Sequence, residues 1–393
     1  MGVSTSSRLS ALSSSLVSTL QSLGVPGGVP GYVKNRRRYT AVLPPAGPAW
    51  AGSLMGTALT SALLEIHGFA AGARAMLLIA GAVTIIITIG WLVYRSPKFT
   101  PVVMPAWAMV SLGLVSLGSA SSTILADSLG DAVWWFHFGC CVIGGVLGLV
   151  TYVVYLRQLI TGRAGTPTFS WGLPLVTPMV TATAGMRFHD WLVGTDVSGA
   201  PGADGAHEVW TTLILVLSMG AFLLTLLTAP VVFTRVYAYY LGPRSRRASH
   251  HRLEPMAAPT IWIPLGIVGQ SMACAQLFGA ATGWVRTGVA YGFIMCVVAI
   301  PVTLTAVVVH YQAALRGISY SPTWWASTFP VGALCLGVHW LSDSSGLGWL
   351  DQISVFLLVI LLFHAGVATL GGTMAIIARM ARRLRAVTGG RRR

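Results

Sequence analysis

Ten long apolar runs dominate this chain, and few folds can hold them. They fall at about 48–66, 71–94, 103–125, 132–159, 170–191, 208–237, 257–284, 287–313, 322–341 and 348–380. About 20 apolar residues cross the ~30 Å hydrocarbon core of a bilayer. In lipid every backbone N–H and C=O must be paired inside the protein, so spans are helices or closed barrels. A barrel needs short alternating segments, whereas these runs are continuously apolar. Charged residues make up only 9% of the chain, against about 25% in a soluble domain. The expectation is an all-α polytopic membrane protein, with ten transmembrane helices paired as five hairpins around a central pore.

The loop charges test that count. With ten spans both termini share a side. If that side is the cytoplasm, 22 of the 25 Lys and Arg residues fall inside, and only Arg74, Arg187 and Arg286 fall outside. Nine of the ten acids fall outside or at outer helix ends, with Glu254 the exception. Cytoplasmic loops carry the excess of Lys and Arg in membrane proteins. One span more or fewer would scramble every loop downstream. The formal charge of +15 therefore reports membrane orientation, and nucleic-acid binding loses its support. Three regions follow: a Ser-rich, basic cytoplasmic arm (1–42), the ten-helix domain (43–382) and a basic cytoplasmic tail (383–393). No secretory h-region with a cleavage site stands in the arm. The setting read from this is a plasma (cell) membrane crossed many times, with the lipid bilayer as the one certain partner.

The spans are of two kinds. Even ones, such as LLIAGAVTIIITIGWLV in the second, are plainly apolar. Odd ones are rich in Gly, Pro, Ser and Thr. In this reading they face inward and supply the pore lining: Ser53, Thr57, Ser116, Thr177, Thr181, Thr260, Gln270, Ser327 and Thr328. Pro105, Pro178, Pro264 and Pro330 would kink them, since proline removes a backbone donor. Phe329 stands directly before Pro330, so the ninth span reads as a pore wall with a plug at its bend. The competing reading is that small residues only let helices pack closely, as in GxxxG contacts, with Phe329 a core ring.

Enzyme signatures are missing. The chain has no HExxH, P-loop or GxSxG, and no acidic cluster within a span. No cofactor or metal is called for, and the five cysteines, all within apolar runs, form no CxxC pair. His189 and Asp190, after Arg187, resemble an outer-mouth cluster more than a catalytic pair. His137 and His364 lie in even spans, where a hydrogen-bonded packing role competes with proton relay. The odd spans carry no carboxylate at mid-depth. A path without fixed acids does not repel anions, and helix N-termini and hydroxyls can attract them weakly. Arg187 and Arg286 would add attraction at the outer mouth.

Four segments carry a family resemblance: PAWAGSLMGTALT (48–60), WGLPLVTPMVTATAG (171–185), PTIWIPLGIVGQS (259–271) and WWASTFPVGAL (324–334). Over about residues 40–382 the chain resembles the tellurite-resistance/dicarboxylate transporter family. That family includes bacterial tellurite-resistance proteins, fungal malate and sulfite transporters and the plant slow anion channels. The resemblance implies a pore lined by the odd helices, closed by Phe329, with Gly56 opposite leaving room for the ring. It also implies a homotrimer with one pore per subunit. Inorganic anions or small carboxylates become the expected cargo, carried by an anion channel or channel-like transporter. The alternative is a secondary C4-dicarboxylate (malate or succinate) or sulfite carrier, coupled to protons. A lipid-acting membrane enzyme would need a facing acid or histidine pair, and a scaffold would need no central path.

Overall fold

The computed structural model describes residues 47–94, 104–194, 203–242, 253–318 and 320–389. Ten α-helices follow in chain order, with no strand among the described residues. They are α1 (Ala51–Ile66), α2 (Ala70–Tyr94), α3 (Met104–Leu129), α4 (Asp131–Ile160) and α5 (Leu173–Gly194). Then come α6 (Ala203–Leu241), α7 (Ile263–Thr282), α8 (Val285–Leu315), α9 (Thr328–Ser345) and α10 (Gly348–Gly389). Each falls on one apolar run. The arm at 1–42 lies outside the described residues, and α10 continues unbroken past residue 382.

Seven helices are long and apolar enough to cross a membrane by those criteria alone; α1, α5 and α9 are not. The reason is where they sit. Helix α1 has 16 residues and α9 has 18, or roughly 24 and 27 Å of rise, and protein surrounds both. Every residue from Ala51 to Leu64 is buried. A helix wrapped in protein can keep its glycines and hydroxyls, because lipid never tests them.

Burial separates the two kinds of helix as the alternation predicts. In the segment Pro255–Thr282, which contains α7, 94% of the most apolar stretch is buried; in its hairpin partner α8 the figure is 17%. The outer helices expose Leu78, Ile143, Leu217, Val297 and Phe356, an apolar surface too continuous for water and suited to lipid. Inside, α1 touches α3, α3 touches α5, α5 touches α7, α7 touches α9, and α9 returns to α1. Five inner helices thus close a ring, and the five outer ones cover it.

Glycine makes both the turns and the closest contacts. Gly68, Gly130, Gly283 and Gly346 follow α1, α3, α7 and α9 with φ between +56° and +82°, the left-handed region that only glycine enters freely. Each lets an inner helix reverse into its outer partner within a few residues. Between α7 and α9, a Cβ added at Gly269 would collide with the backbone of Ala333 and Leu334.

Four inner helices are preceded by tight 3-10 turns at Pro48–Trp50, Phe169–Gly172, Pro255–Trp262 and Pro322–Ser327. These turns expose a repeat that the division into runs does not bring out. A proline is followed two to four positions on by a tryptophan at Pro48/Trp50, Pro105/Trp107, Pro167/Trp171, Pro259/Trp262 and Pro322/Trp324. Every inner helix starts this way, so the fivefold architecture is written into the primary structure.

The expected kinks need correction. Pro105 is the second residue of α3, Pro264 the second of α7 and Pro330 the third of α9. In the first turn a proline's missing N–H is not needed, so these residues start helices and do not bend them. Of the four, only Pro178 lies well inside a helix. The break in the ninth span is the change from 3-10 to α geometry at Ser327–Thr328.

Candidate functional site

Phe329 sits in the first turn of α9, behind roughly 12 Å of 3-10 turn if its six residues rise about 2 Å each. The residue is 3% exposed. It belongs to one contiguous core that also takes in Leu59 of α1, Leu112 of α3, Val176 of α5 and Ile267 of α7. Phe329 is therefore packed in the bundle interior, in a core to which all five inner helices contribute.

The atoms crowding Gly56 come from residues just before Phe329. A Cβ at Gly56 would lie 2.5 Å from Thr328 Oγ1 and 2.8 Å from Trp325 Cε3. The space at Gly56 is thus taken by Trp325 and Thr328. The Phe329 ring edge lies instead against Gly266 of α7, 3.4 Å from where a Cβ there would stand. What the sequence motif marks at Gly56 is a close approach to the 324–334 segment.

The expected hydroxyls fall into two groups. Ser53 donates to Trp50 O at 2.6 Å, Thr57 to Ser53 O at 2.8 Å and Thr260 to Ala257 O at 2.7 Å. Ser327 donates to Trp324 O at 3.0 Å and Thr328 to Trp325 O at 2.8 Å. Each hydrogen is committed to a carbonyl three or four residues back, a common local bond for Ser and Thr in helices. Such a group must rotate before it can donate to an anion. Thr177 and Thr181 are misplaced for a lining role. Thr177 donates to Gly148 O of α4 at 3.3 Å, besides Pro174 O at 2.8 Å. A Cβ at Gly145 would lie 2.8 Å from Thr181 Cγ2. Both threonines pack on the outer helix α4, where the small-residue packing reading prevails. Thr177→Val should therefore leave anion flux within about twofold of wild type while lowering stability by roughly 1 kcal/mol for one lost hydrogen bond, which vesicle flux and thermal unfolding together would check.

Ser116 is buried in α3 at 6% exposure, and Gln270 in α7 at 3%. The Gln270 Oε1 has no hydrogen-bond partner. Gln270 lies four residues after Gly266, so both share a helix face, one turn beyond the contact with Phe329. An unsatisfied buried amide is costly.

The two arginines differ from each other, and Arg187 differs from expectation. Arg187 does not stand free at a mouth. Its Nη1 donates to Thr123 Oγ1 at 2.8 Å and Ser119 O at 3.3 Å, and the guanidinium lies 5.9 Å from the Trp134 ring centroid. It ties α5 to α3 and α4. Arg286, at the start of α8, is exposed. His137 is bonded on both ring nitrogens, Nδ1 to Ser122 Oγ at 2.8 Å and Nε2 to Ala184 O at 3.0 Å. His364 Nε2 meets Tyr311 Oη at 2.8 Å. Both histidines make the packing contacts expected of buried imidazoles.

A closed inner ring of helices inside an apolar outer shell defines an all-α polytopic membrane protein. The chain belongs to the SLAC1 family, described as voltage-dependent anion channel, whose pattern matches residues 46–373. The match runs from the lead-in of α1 well into α10, so it spans the whole ring. Membership agrees with the resemblance in the motifs and places anion transport across a membrane as the protein's role. Comparison with curated proteins finds no match.

Proposed function

We propose that the chain conducts anions along the axis of its inner ring and that Phe329 closes this path. The observation that supports the reading best is the closed circuit of five inner helices with the buried Phe329 in its shared core. The conformation described is then the shut one. Opening requires the ring to leave its seat at Gly266, and the 3-10 turn before Thr328 offers a joint for that movement. The proposed setting is a cell membrane with both termini cytoplasmic, as the loop charges favour, and three copies each with its own path.

Selectivity in this proposal comes from a neutral, narrow path. No carboxylate among the described residues repels an anion at mid-depth, and hydroxyls that rotate away from their carbonyls can each give one hydrogen. Turning the Gln270 amide presents an NH2 group to the axis. Weak, dispersed donors suit conduction, because an ion must leave as readily as it enters. Gln270→Leu should reduce anion flux at least tenfold, as expected for a hydrogen bond to a charged group worth about 1.5–3 kcal/mol. The experiment is flux from proteoliposomes in chloride, nitrate, malate and succinate, driven by voltage or by a pH gradient. Flux of small anions that follows voltage alone supports the channel. Saturable malate uptake that follows the pH gradient would replace it with a carrier.

A further inference from the structure

Three side chains from three helices meet at the end of the bundle where the hairpin turns lie. His67 caps α1, His339 comes from the last turns of α9, and Asp351 from the first turn of α10. One ligand atom from each lies within 4.8 Å of the others. His339 Nδ1 is 2.8 Å from Asp351 Oδ1, and His67 Nδ1 is 3.9 Å from the same oxygen. The imidazole rings stand edge to face with centroids 5.1 Å apart.

The surrounding bonds fix what these atoms present. Ser354 Oγ lies 2.8 Å from Cys335 O and 3.0 Å from His67 Nε2. A hydroxyl has one hydrogen, and the carbonyl can only accept. Both contacts are satisfied only if Ser354 donates to Cys335 and His67 donates from Nε2. In the neutral imidazole, His67 Nδ1 is then a bare lone pair facing a carboxylate oxygen, which is also an acceptor. Two acceptors with no hydrogen between them leave room for a cation. The second histidine differs: its Nδ1 is hydrogen-bonded to Asp351 Oδ1, so a metal would displace that proton, while its Nε2 lies 3.5 Å from Asp343 Oδ2. A carboxylate or hydroxyl behind each imidazole is the arrangement that orients histidines as metal ligands. The His67 side chain is 3% exposed but Asp351 is 45% exposed, so the cluster is anchored on one side and open to water on the other.

We propose that His67, His339 and Asp351 form a binding site for a divalent transition metal of the zinc class, linking the ends of α1, α9 and α10. Two imidazoles and a carboxylate suit zinc, which takes three protein ligands and leaves a fourth position to water in open sites. Zn–N and Zn–O bonds of about 2.0–2.2 Å in a tetrahedron put ligand atoms roughly 3.3–3.5 Å apart. That distance falls between the 2.8 and 3.9 Å that separate the two imidazoles from Asp351. No motif marks such a site along the chain, because its ligands come from distant turns. The consequence for transport rests on the proposed function. Helices α1 and α9 carry Gly56 and Phe329, and a metal tying their ends would restrain the movement that opens the path.

The test has two arms. The full chain in detergent is titrated with zinc alone, and bound metal is counted by equilibrium dialysis beside His67→Asn, His339→Asn and Asp343→Asn. The expected result is one zinc per chain in wild type, at least a hundredfold weaker binding in the two histidine variants, and roughly tenfold weaker in Asp343→Asn, with magnesium not competing. Thermal unfolding without zinc shows that each variant is folded; if a histidine variant is not, Asp351→Asn takes its place. No zinc bound, or zinc bound equally by wild type and the ligand variants, overturns the proposal. Vesicle flux with added zinc is the second arm: slowing in wild type and none in His67→Asn is expected. If zinc binds as described yet flux is unmoved in a protein that conducts, the metal site stands and the restraint is discarded. A protein that binds zinc but carries no anion under any gradient contradicts the proposed function alone.

Discussion

Phe329→Ala should raise voltage-driven flux of small anions at least tenfold over wild type. The residue is 3% exposed within a core to which all five inner helices contribute, so removing its ring opens space inside the bundle, on the proposed path, and not at a lipid surface. The glycine it rests on, Gly266, offers no side chain to refill that space. The variant carries a structural cost. Truncating a buried Phe typically removes about 3–5 kcal/mol of stability, so flux must be scaled to folded protein. Phe329→Leu, which keeps much of the volume, should fall between wild type and Ala. Folded Phe329→Ala with wild-type flux would show that the ring only packs.

Gly269→Ala should abolish or nearly abolish folded protein in the membrane. A Cβ there would overlap the backbone between Ala333 and Leu334, and no rotamer relieves a clash with main chain. Gly337 repeats the contact from the other side, since its own Cβ would meet Gly269 O at 2.5 Å. The two inner helices would have to separate along their length. Ordinary overpacking in a core costs about 1–3 kcal/mol, and a clash with backbone belongs at or above the top of that range. Gly81→Ala, where nothing lies within 4 Å of the added atom, should behave as wild type. Expression and monodispersity in detergent would compare the two; equal yields would contradict the close α7–α9 approach.

The helix count and the inner and outer rings were legible because two independent signals agree. Loop charge reports which side a turn is on, and breaker content reports whether a helix meets lipid. The sides that individual residues face were less legible. Thr177 and Thr181 read as lining residues by type, but a threonine says nothing about which neighbour it meets. The useful signal stood in α4, where Gly145 and Gly148 mark the face that receives them. Prolines misled for a related reason. Mid-run position in an apolar stretch suggests a kink, yet the helices begin within those runs, and three of the four prolines sit in first turns. The Pro–Trp repeat was readable and would have located the helix starts. Arg187 was placed by topology near the end of its span, but its burial against Thr123 and Trp134 depends on packing that spacing does not encode. The His67, His339 and Asp351 cluster was beyond reach from sequence, since only ring closure between α1 and α9 brings it together.

Whether anions pass through the inner ring is open to one direct measurement. Purified Phe329→Ala, which lacks the ring proposed to shut the path, is placed in a planar bilayer under a tenfold potassium chloride gradient. Conduction through the neutral axis gives a reversal potential near the chloride equilibrium value, about 59 mV in magnitude for a tenfold ratio of a singly charged ion, and this value moves with the chloride ratio and not with pH. A reversal potential near the potassium value, or one that tracks the pH gradient, would contradict an anion path through the ring.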